Sequence, residues 1–338
     1  MRLRSLGDIV LETPAIAALH AWRPDLRICV VVELWCAAVL EGNPAVSEQI
    51  QSRGFAETAR ELRRHQFPIA FNQHGGPKSA LLTAASGSPV RVCWEGFQFA
   101  FLYNIQVPDK KEFFGTSDAH TVEHRISQFY WTGLPRGPIP KAQVFPQPDA
   151  AESVARRLKE KGIAPGEPYA VLQPGARLAT MRWPVEKFAE IARWLRKSHG
   201  IASTVNLGRR DHEIAASVRQ AMSDNAVVVE SFDARELIAL IAGTRLFVGN
   251  DSGPAHLAAA TLRPSVVIFG STNPSEWRPW QTKHRIVHTN AVFESRRGDK
   301  SLAVGAERTI AEIGVDEVRA ACEEMLVLSI VSDSAGER

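Results

Sequence analysis

Short runs of apolar, often β-branched residues alternate with segments of helical period along most of this sequence. In its second half the runs are YAVLQPG, IASTVNLG, AVVVES, RLFVGND and PSVVIFGS. Between the first two runs, apolar residues recur every three or four positions from Val185 to Leu195. Strands that are hydrophobic almost throughout, separated by helices, are typical of a parallel sheet covered on both faces. The pattern therefore predicts a doubly wound α/β domain.

The first half of the sequence shows the same alternation less regularly. DIVLETPAIAALHAW, ETARELRRHQ, GPKSALLTAASG and HTVEHRISQFYWTGL have helical character, and RICVVVEL and PIAFNQ indicate strands. Between the halves, residues 135–149 contain five prolines and predict a linker. Since a domain holds about 150 residues, we expect two Rossmann-like domains, over residues 1–145 and 151–315. A final amphipathic helix over residues 316–330 is expected to pack back towards the N-terminal domain.

Composition and charge exclude several classes of protein. With 40 Lys and Arg against 37 Asp and Glu, the net charge of +3 is too small to indicate a nucleic-acid-binding surface. The four cysteines form no CxxC pair and predict a reducing compartment. No stretch approaches the roughly 18 consecutive apolar residues of a membrane span, and the N-terminal MRLRSLGDIVLETP carries an acid where a signal peptide would continue its apolar core. We therefore expect a cytoplasmic protein without a membrane anchor of its own.

Three glycine-containing loops follow predicted strands or precede predicted helices. They are RSLGD at residues 4–8, QPGARLATMRWP at residues 173–184, and VGNDSGPAHLAAA at residues 248–260. Glycine lets the backbone approach a ligand closely, and the helix start behind each loop supplies N–H groups and the positive end of the helix dipole. A phosphate group is the ligand expected there. None of the loops matches the GxGxxG or GxxxxGK(S/T) fingerprints, so common dinucleotide or P-loop binding is not indicated.

Four stretches in the same order resemble glycosyltransferase family 9, whose best-known members are the ADP-heptose:lipopolysaccharide heptosyltransferases. They are RSLGDIVLETPAIAAL, FNQHGGPKSALLTAASG, PGARLATMRWPVEKFAEIARWL and VGNDSGPAHLAAATLRPSVVIFGSTNP, and the resemblance extends from Arg2 to the helix near Leu326. It implies an α/β fold of the GT-B type, in which two Rossmann-like doubly wound domains face a central cleft.

The resemblance also implies a reaction and its partners. We expect an inverting transfer of a heptose or similar sugar, with no metal and no cofactor. The ADP-sugar donor would bind the C-terminal domain, and a cell-envelope glycan such as the lipopolysaccharide inner core would bind the N-terminal domain as acceptor. Contact with the inner membrane would be transient and would come through the acceptor.

The resemblance makes Asp8 of the LGD motif the catalytic base. Inverting transfer needs a carboxylate to take the proton of the acceptor hydroxyl as that oxygen attacks the anomeric carbon. The alternative is that Asp8 only caps the helix that starts there, since Asp is a preferred capping residue.

Lys78 is expected to bind the acceptor, and the alternative is that it is a solvated lysine at a helix start. The residues expected to contact the acceptor are Arg2, Arg4, Gln73, His74 and Lys78.

The donor is expected to bind the glycine-containing loops of the C-terminal domain. Backbone N–H groups and the Ser252 hydroxyl suit its diphosphate, whereas a carboxylate would be repelled, so Asp251 is assigned to sugar hydroxyls. Either Asp211 or Glu213 would hold the ribose hydroxyls. Phe232 is expected to face the adenine, and His256 is also expected to contact the donor. For both residues, the alternative is ordinary packing in the core. The other donor-binding residues that the resemblance implies are Ala176, Arg177, Arg182 and Gly253.

Two departures from the family pattern bear on activity. Met181 stands where the family commonly has a lysine that neutralises the leaving nucleotide, so Arg182 or Arg177 would supply the cation. Relatives also carry more apolar residues before the first loop, which form a central strand. Either the assigned start lies too far downstream, the interpretation we favour, or the N-terminal sheet has lost that strand.

These departures motivate an alternative function, that of a non-catalytic nucleotide-sugar-binding relative. An unrelated Rossmann-type dehydrogenase is disfavoured, because the sequence has no glycine fingerprint with a following acid.

Overall fold

A computed structural model describes residues 1–116, 118–208, 211–295 and 301–335. They form two compact units, one extending to Phe145 and the other comprising Pro146–Glu294 and residues 301–335, so the boundary lies inside the predicted linker. The strands are β1 Cys29–Val32, β2 Glu48–Gln51, β3 Ile69–Phe71, β4 Val90–Trp94, β5 Ile105–Val107, β6 Tyr169–Gln173, β7 Ala202–Leu207, β8 Val227–Glu230, β9 Leu246–Asn250, β10 Ser265–Phe269, β11 His284–His288, β12 Val292–Ser295 and β13 Ser301–Gly305. The α-helices are α1 Leu6–Val10, α2 Thr13–Trp22, α3 Phe55–His65, α4 Pro77–Ala85, α5 Lys111–Phe114, α6 Thr121–Trp131, α7 Pro148–Glu160, α8 Val185–His199, α9 Ala215–Met222, α10 Ala234–Ala242, α11 Gly253–Ala260, α12 Pro274–Trp277 and α13 Val315–Ala335. Short 3₁₀ helices span Leu34–Leu40, Ala100–Leu102, Ala179–Met181 and Ile310–Glu312.

Six parallel strands form the sheet of the C-terminal unit, in the order β8-β7-β6-β9-β10-β11. Numbered along the chain within this unit, that order is 3-2-1-4-5-6, which is typical of nucleotide-binding Rossmann folds. The order reverses between β6 and β9, because β7 and β8 extend the sheet on one side and β10 and β11 on the other. The loops that follow β6 and β9 therefore diverge and leave a crevice at the carboxyl ends of these strands. Both predicted donor loops begin there.

The central strands of this sheet are buried on both faces, as their apolar runs predict. Every residue of β9 and β10 is buried. In α8, Phe188, Ile191 and Leu195 are each 0% exposed. Their spacing of three and four residues places them on one face of the helix, which packs on the sheet. The predicted amphipathic helix is thus confirmed.

The N-terminal unit repeats this strand order with shorter strands. Strand β1 pairs in parallel with β2, and β3, β4 and β5 form a second parallel group. Residues 1–3 lie between the two groups. The amide of Arg2 donates to the Val31 carbonyl (3.1 Å) on one side, and the amide of Gln73 donates to the Met1 carbonyl (3.1 Å) on the other. With residues 1–3 counted as the first strand, the order is again 3-2-1-4-5-6 and reverses beside β3.

Of the two alternatives for the N-terminal sheet, this arrangement contradicts the loss of the central strand, which was not the favoured one. Residues 1–3 occupy that position, and the Leu3 side chain is 1% exposed. Backbone groups in the middle of a sheet need hydrogen-bond partners, and this short segment supplies them to both neighbours. Asp8 follows the segment closely and His74 follows β3, so the two predicted acceptor loops also leave the sheet where its strand order reverses.

Several elements were not predicted because their sequences lack an apolar pattern. Strands β2 (EQIQ) and β5 (IQV) end the two parallel groups of the N-terminal unit and contain polar residues. Strands β12 and β13 pair with each other in a polar stretch of the sequence, of which residues 296–300 lie outside the described part. The predicted first helix is divided into α1 and α2, with Pro14 in the first turn of α2, where no N–H is needed.

Helix α13 packs on the C-terminal unit, and the expectation that it also packs back towards the N-terminal domain stays a prediction. Its buried residues Val318, Cys322 and Met325 recur every three or four positions and join the core around β10, β11 and α8. This apolar face finds its partner in the adjacent sheet. Neither α13 nor any other described helix is long and apolar enough to cross a membrane.

Replacing Met325 with alanine tests the packing of α13. Met325 is 0% exposed, so the truncation should leave a cavity and lower the free energy of unfolding by about 2–5 kcal/mol. Val327 lies on the same helix with 58% exposure, and Val327→Ala should change this free energy by less than about 0.5 kcal/mol. Urea denaturation of both variants makes the comparison. Equal effects would contradict the packing described here.

Candidate active site

Asn250, the last residue of β9, connects the loops around the crevice of the C-terminal unit. Its Nδ2 donates to the Pro174 carbonyl (2.7 Å), and its Oδ1 accepts from the backbone N–H of Trp183 (3.0 Å). Asn250 is 0% exposed, so both hydrogen bonds are shielded from water. They hold residues 174–183 against the end of β9. Sequence reasoning missed Asn250, although it directly precedes Asp251 in the motif.

The loop after β6 needs glycine because a carboxylate packs directly on it. A Cβ atom at Gly175 would lie 2.1 Å from Oδ1 of Asp211, so no larger residue fits without a shift. The other carboxylate oxygen of Asp211 accepts from the Gly208 amide (2.9 Å). Burial raises the pKa of Asp211. Of the two acids considered for the ribose hydroxyls, Asp211 is the one that lies against the loop.

Arg182 braces the same loop. Its Nε donates to the Ala176 carbonyl (2.8 Å), and its Nη1 pairs with the exposed carboxylate of Glu213 (2.8 Å). The neighbouring Met181 is 6% exposed and points into the protein, so its side chain does not reach the loop surface. Arg177, by contrast, is exposed and forms no ion pair with the described residues. Arg177 is therefore the cation of this loop whose guanidinium is accessible to a ligand.

Asp251 is a buried carboxyl at the end of β9. Its Oδ2 accepts a hydrogen bond from the Thr272 hydroxyl (2.6 Å). Burial raises the pKa of Asp251 to about 6, although the Thr272 hydrogen bond and the charge of Arg177 act in the opposite direction. The carboxyl is thus poised between its two protonation states just below neutral pH.

The start of α11 has no side-chain cap. Ser252 occupies the capping position, but its hydroxyl donates to the Asn250 carbonyl (3.1 Å) instead of accepting from the first turn of the helix. The helix begins at Gly253, and Pro254 follows within the first turn. A helix start without a side-chain cap directs its backbone N–H groups outward, which suits a phosphate. A helix cap therefore does not explain this motif.

Phe232 and His256 both have packing partners. The guanidinium of Arg157 lies 3.9 Å from the centre of the Phe232 ring, so one face of this half-buried ring is covered. His256 is 4% exposed, with its ring centre 6.3 Å from that of Trp277. Their contacts with a donor stay predictions.

Asp8 lies beside two buried arginines in the N-terminal unit. Its Oδ1 pairs with the Arg2 guanidinium and lies 3.4 Å from Nη2 of Arg125. The Ser5 hydroxyl donates to Oδ2 (3.0 Å), and Ser5 and Asp8 form a capping box at the start of α1. Asp8 therefore caps the helix, but it also takes part in a network of charges that capping does not require.

The two arginines determine the ionisation of Asp8. Burial alone would raise the pKa of this carboxyl, but the charges of Arg2 and Arg125 and the hydrogen bonds from Ser5 hold its pKa below the usual value. Asp8 is consequently ionised at neutral pH. Arg125 comes from α6, 117 positions along the chain, and sequence reasoning did not identify it.

Arg2 and Gln73 hold this network together. They are 5% and 3% exposed, and the Gln73 carbonyl accepts from Arg2 and from Nη1 of Arg125 (3.1 Å). Burial and the charge of Arg2 lower the pKa of the adjacent His74 to about 4, so its imidazole is neutral at pH 7. Acceptor contacts of Arg2, Gln73 and His74 stay predictions, and the contacts that the structure shows are those around Asp8.

Arg4 and Lys78 are the exposed cations near these loops. Nζ of Lys78 lies 3.2 Å from Oε1 of Glu33, and its side chain is 45% exposed. Burial would raise the pKa of Glu33, but hydrogen bonds from Trp35 and Lys78 and the charges of Lys78 and Arg4 lower it. Glu33 is therefore ionised and partly neutralises these cations before any anionic acceptor binds.

The predicted site residues do not include a metal-binding group. Within the described residues, Glu48, Glu61 and His65 are the three side chains whose ligand atoms lie close enough, within 4.8 Å of one another, to hold an ion. None of them belongs to the acceptor or donor loops. The prediction that no metal takes part stays a prediction.

Comparisons with known proteins agree with the motifs. A family model described as glycosyltransferase family 9 (heptosyltransferase) matches residues 55–302. The lipopolysaccharide heptosyltransferase 2 of Escherichia coli K12 is 26% identical over 330 residues, with 91% of this chain and 92% of the relative covered.

Two solved structures share the fold. A glycosyl transferase family 9 protein from Veillonella parvula superposes with a TM-score of 0.83 at 22% identity, covering 96% of this chain and 95% of its own. The E. coli ADP-heptose lps heptosyltransferase II superposes with a TM-score of 0.78 at 24% identity, covering 97% and 99%. The predicted family and the predicted α/β fold of the GT-B type are confirmed.

The raised pKa of Asp251 predicts a pH-dependent stability that Asp251→Asn should remove. The folded state retains the proton up to about pH 6, whereas the unfolded chain loses it near 3.8, so the wild-type protein loses stability as the pH rises between these values. At 1.36 kcal/mol per pKa unit, the stability of the variant relative to wild type should rise by about 2 kcal/mol from pH 4 to pH 7.

Denaturant titrations across this pH range measure the difference. Asp224→Asn, at an exposed aspartate of the same unit, serves as the control and should show no such trend. A stability difference between Asp251→Asn and wild type that does not change with pH would contradict the assignment.

Proposed function

Because this chain belongs to glycosyltransferase family 9, we propose that it transfers a heptose from an ADP-heptose to a lipopolysaccharide-type glycan. We propose further that the transfer inverts the anomeric carbon and needs no metal ion. The names of the relatives support the donor and the acceptor class, since they include a lipopolysaccharide heptosyltransferase and an ADP-heptose lps heptosyltransferase. The single observation that carries the mechanism is the position of the Asp8 carboxyl group between Arg2 and Arg125.

The donor binds the C-terminal unit in this proposal. Its diphosphate lies at the start of α11, where the Ser252 hydroxyl does not cap the helix, and Arg177 supplies the cation. Asp251 accepts hydrogen bonds from sugar hydroxyls, and Asp211 accepts those of the ribose. Arg177 and Arg182 together replace the missing lysine, one as a ligand of the phosphates and one as a brace of the loop.

The N-terminal unit binds the acceptor and supplies the base. The acceptor hydroxyl oxygen attacks the anomeric carbon as the bond from that carbon to the β-phosphate oxygen breaks, and ADP leaves with the electron pair. The hydroxyl proton moves to the Asp8 carboxylate. Arg2, Arg125 and Ser5 fix the orientation of that carboxylate, and its low pKa keeps it ready to accept a proton throughout the neutral range.

The enzyme is proposed to act in the cytoplasm and to reach the inner membrane only through its acceptor. The non-catalytic alternative rested on Met181 and on the beginning of the chain. An accessible Arg177 answers the first point, because a cation is present on the loop. On the second point, residues 1–3 hydrogen-bond to the strands on both sides of them, next to Asp8.

Replacing Asp8 with asparagine tests the proposed base. Loss of a general base should lower kcat by about 100-fold to 10,000-fold, measured as ADP release from ADP-heptose in the presence of a lipopolysaccharide core acceptor. Asparagine keeps an oxygen for the Ser5 hydroxyl but removes the negative charge. ADP binding, measured by calorimetry, should be retained and shows that the variant is folded.

Asp25→Asn, at an exposed aspartate that pairs with Arg23, is the matched control and should retain wild-type turnover. An Asp8→Asn enzyme within threefold of the wild-type kcat would rule out Asp8 as the base.

A further inference from the structure

Glu12 is a buried acid that the proposed mechanism does not use. It lies between α1 and α2, is 4% exposed, and neither carboxylate oxygen accepts a hydrogen bond from the described residues. It precedes α2 directly, yet its side chain does not cap that helix. A buried carboxylate without hydrogen bonds is costly. Its position therefore needs an explanation other than local helix structure.

The closest cation to Glu12 is the one that also holds Asp8. Nε of Arg125 lies 3.9 Å from Oε2 of Glu12, and Nη2 of the same guanidinium lies 3.4 Å from Oδ1 of Asp8. The guanidinium thus lies between two carboxylates. Its position is fixed by neutral groups as well, since Nη1 donates to the Gln73 carbonyl (3.1 Å) and the Trp94 ring centre is 5.3 Å away.

We propose that Glu12 is a positioning residue that shares the Arg125 guanidinium with Asp8 and makes Asp8 a stronger base than Arg125 alone would allow. The inference rests on the proposed function, in which Asp8 accepts the proton of the acceptor hydroxyl. The negative charge of Glu12 cancels part of the field of Arg125 at Asp8. When Asp8 becomes neutral during the transfer, Arg125 keeps Glu12 as its counterion.

The charges around Asp8 and Glu12 support the role of Asp8 as the base and of Glu12 as a positioning residue. Burial, together with the charge of Asp8, raises the pKa of Glu12, against the opposing effects of Arg125, Arg2 and the Met1 amine. At Asp8 the arginines prevail over burial and the pKa is lowered. Environments that separate the pKa values of two neighbouring acids are typical of catalytic pairs. The groups that face this pair are the Met1 amine, Arg2, Ser5, His74 and Arg125.

Glu12→Gln tests the inference through the pH profile of kcat. At pH 7.5 the variant should turn over about 10-fold more slowly, with an unchanged KM for ADP-heptose. In the wild type, Glu12 becomes protonated as the pH falls towards its pKa, which lies above the usual 4.5. The ratio of wild-type to variant kcat should therefore fall towards one with decreasing pH. Any titration of Asp251 affects both enzymes and cancels in this ratio.

Two further variants separate this role from a structural one. Glu12→Asp keeps the charge and should recover part of the lost kcat together with the pH dependence. In an Arg125→Gln background, Glu12→Gln should change kcat less than twofold, because Glu12 acts through Arg125. Glu57→Gln, at an exposed glutamate, is the control and should match the wild type.

Three results would overturn this inference and leave the proposed function standing. They are a ratio of kcat values that does not change with pH, a Glu12→Gln kcat within twofold of the wild type, and an equal loss of kcat in the Arg125→Gln background. A wild-type protein that shows no ADP-heptose-dependent transfer would instead overturn the proposed function and, with it, this inference.

Discussion

The reversal of strand order between β6 and β9 is the constraint on which the proposed donor site depends. Parallel strands that diverge at this point leave their following loops on either side of a crevice. The side chain of Asn250 then closes the arrangement, since it hydrogen-bonds to Pro174 and to Trp183 from the end of β9. The positions of Arg177, Asp251 and the start of α11 all follow from these two features.

The N-terminal unit uses the same reversal to place a charged cluster. Residues 1–3 lie between β1 and β3 and bring Arg2 and Asp8 next to the loop that follows β3. Buried charges are tolerated only when they are paired, and here Asp8 lies beside Arg2 and Arg125, with Glu12 3.9 Å from Arg125. Burying these charged groups costs free energy, and the start of α1 could be capped without them. The arrangement of the cluster matches what a general base needs, namely a fixed orientation and a defined charge.

Much of the C-terminal unit could be predicted from the sequence because its strands are buried on both faces. Runs such as RLFVGN and PSVVIF have no polar alternation, and five of the six strands of this sheet were identified from such runs. Strands β2 and β5 escaped detection because short strands at an edge carry polar residues and have no distinct period. The position of α13 could not be predicted either, since an amphipathic face indicates that a partner exists but not which one.

The candidate site shows the same division between local and tertiary information. The loops that carry Asp8 and Asp251 were recognised because glycine, an acid and a helix start adjoin in the sequence. Arg125 and Glu12 were missed, because their contact with each other and with Asp8 depends on how α6 packs, and no local motif contains it. That Asp211, and not Glu213, lies against the loop after β6 likewise could be seen only from the position of Gly175 against the Asp211 carboxylate.

The central claim is that the crevice beside β6 and β9 binds the diphosphate of an ADP-sugar. Calorimetric titration of ADP-heptose into the wild type and Arg177→Ala tests it most directly. A charge-assisted hydrogen bond of about 1.5–3 kcal/mol predicts that the variant binds at least about 10-fold more weakly. Arg193→Ala, at an exposed arginine of α8, should leave the affinity unchanged. Equal affinities of wild type and Arg177→Ala, or tighter binding of a UDP-sugar than of ADP-heptose, would contradict the account.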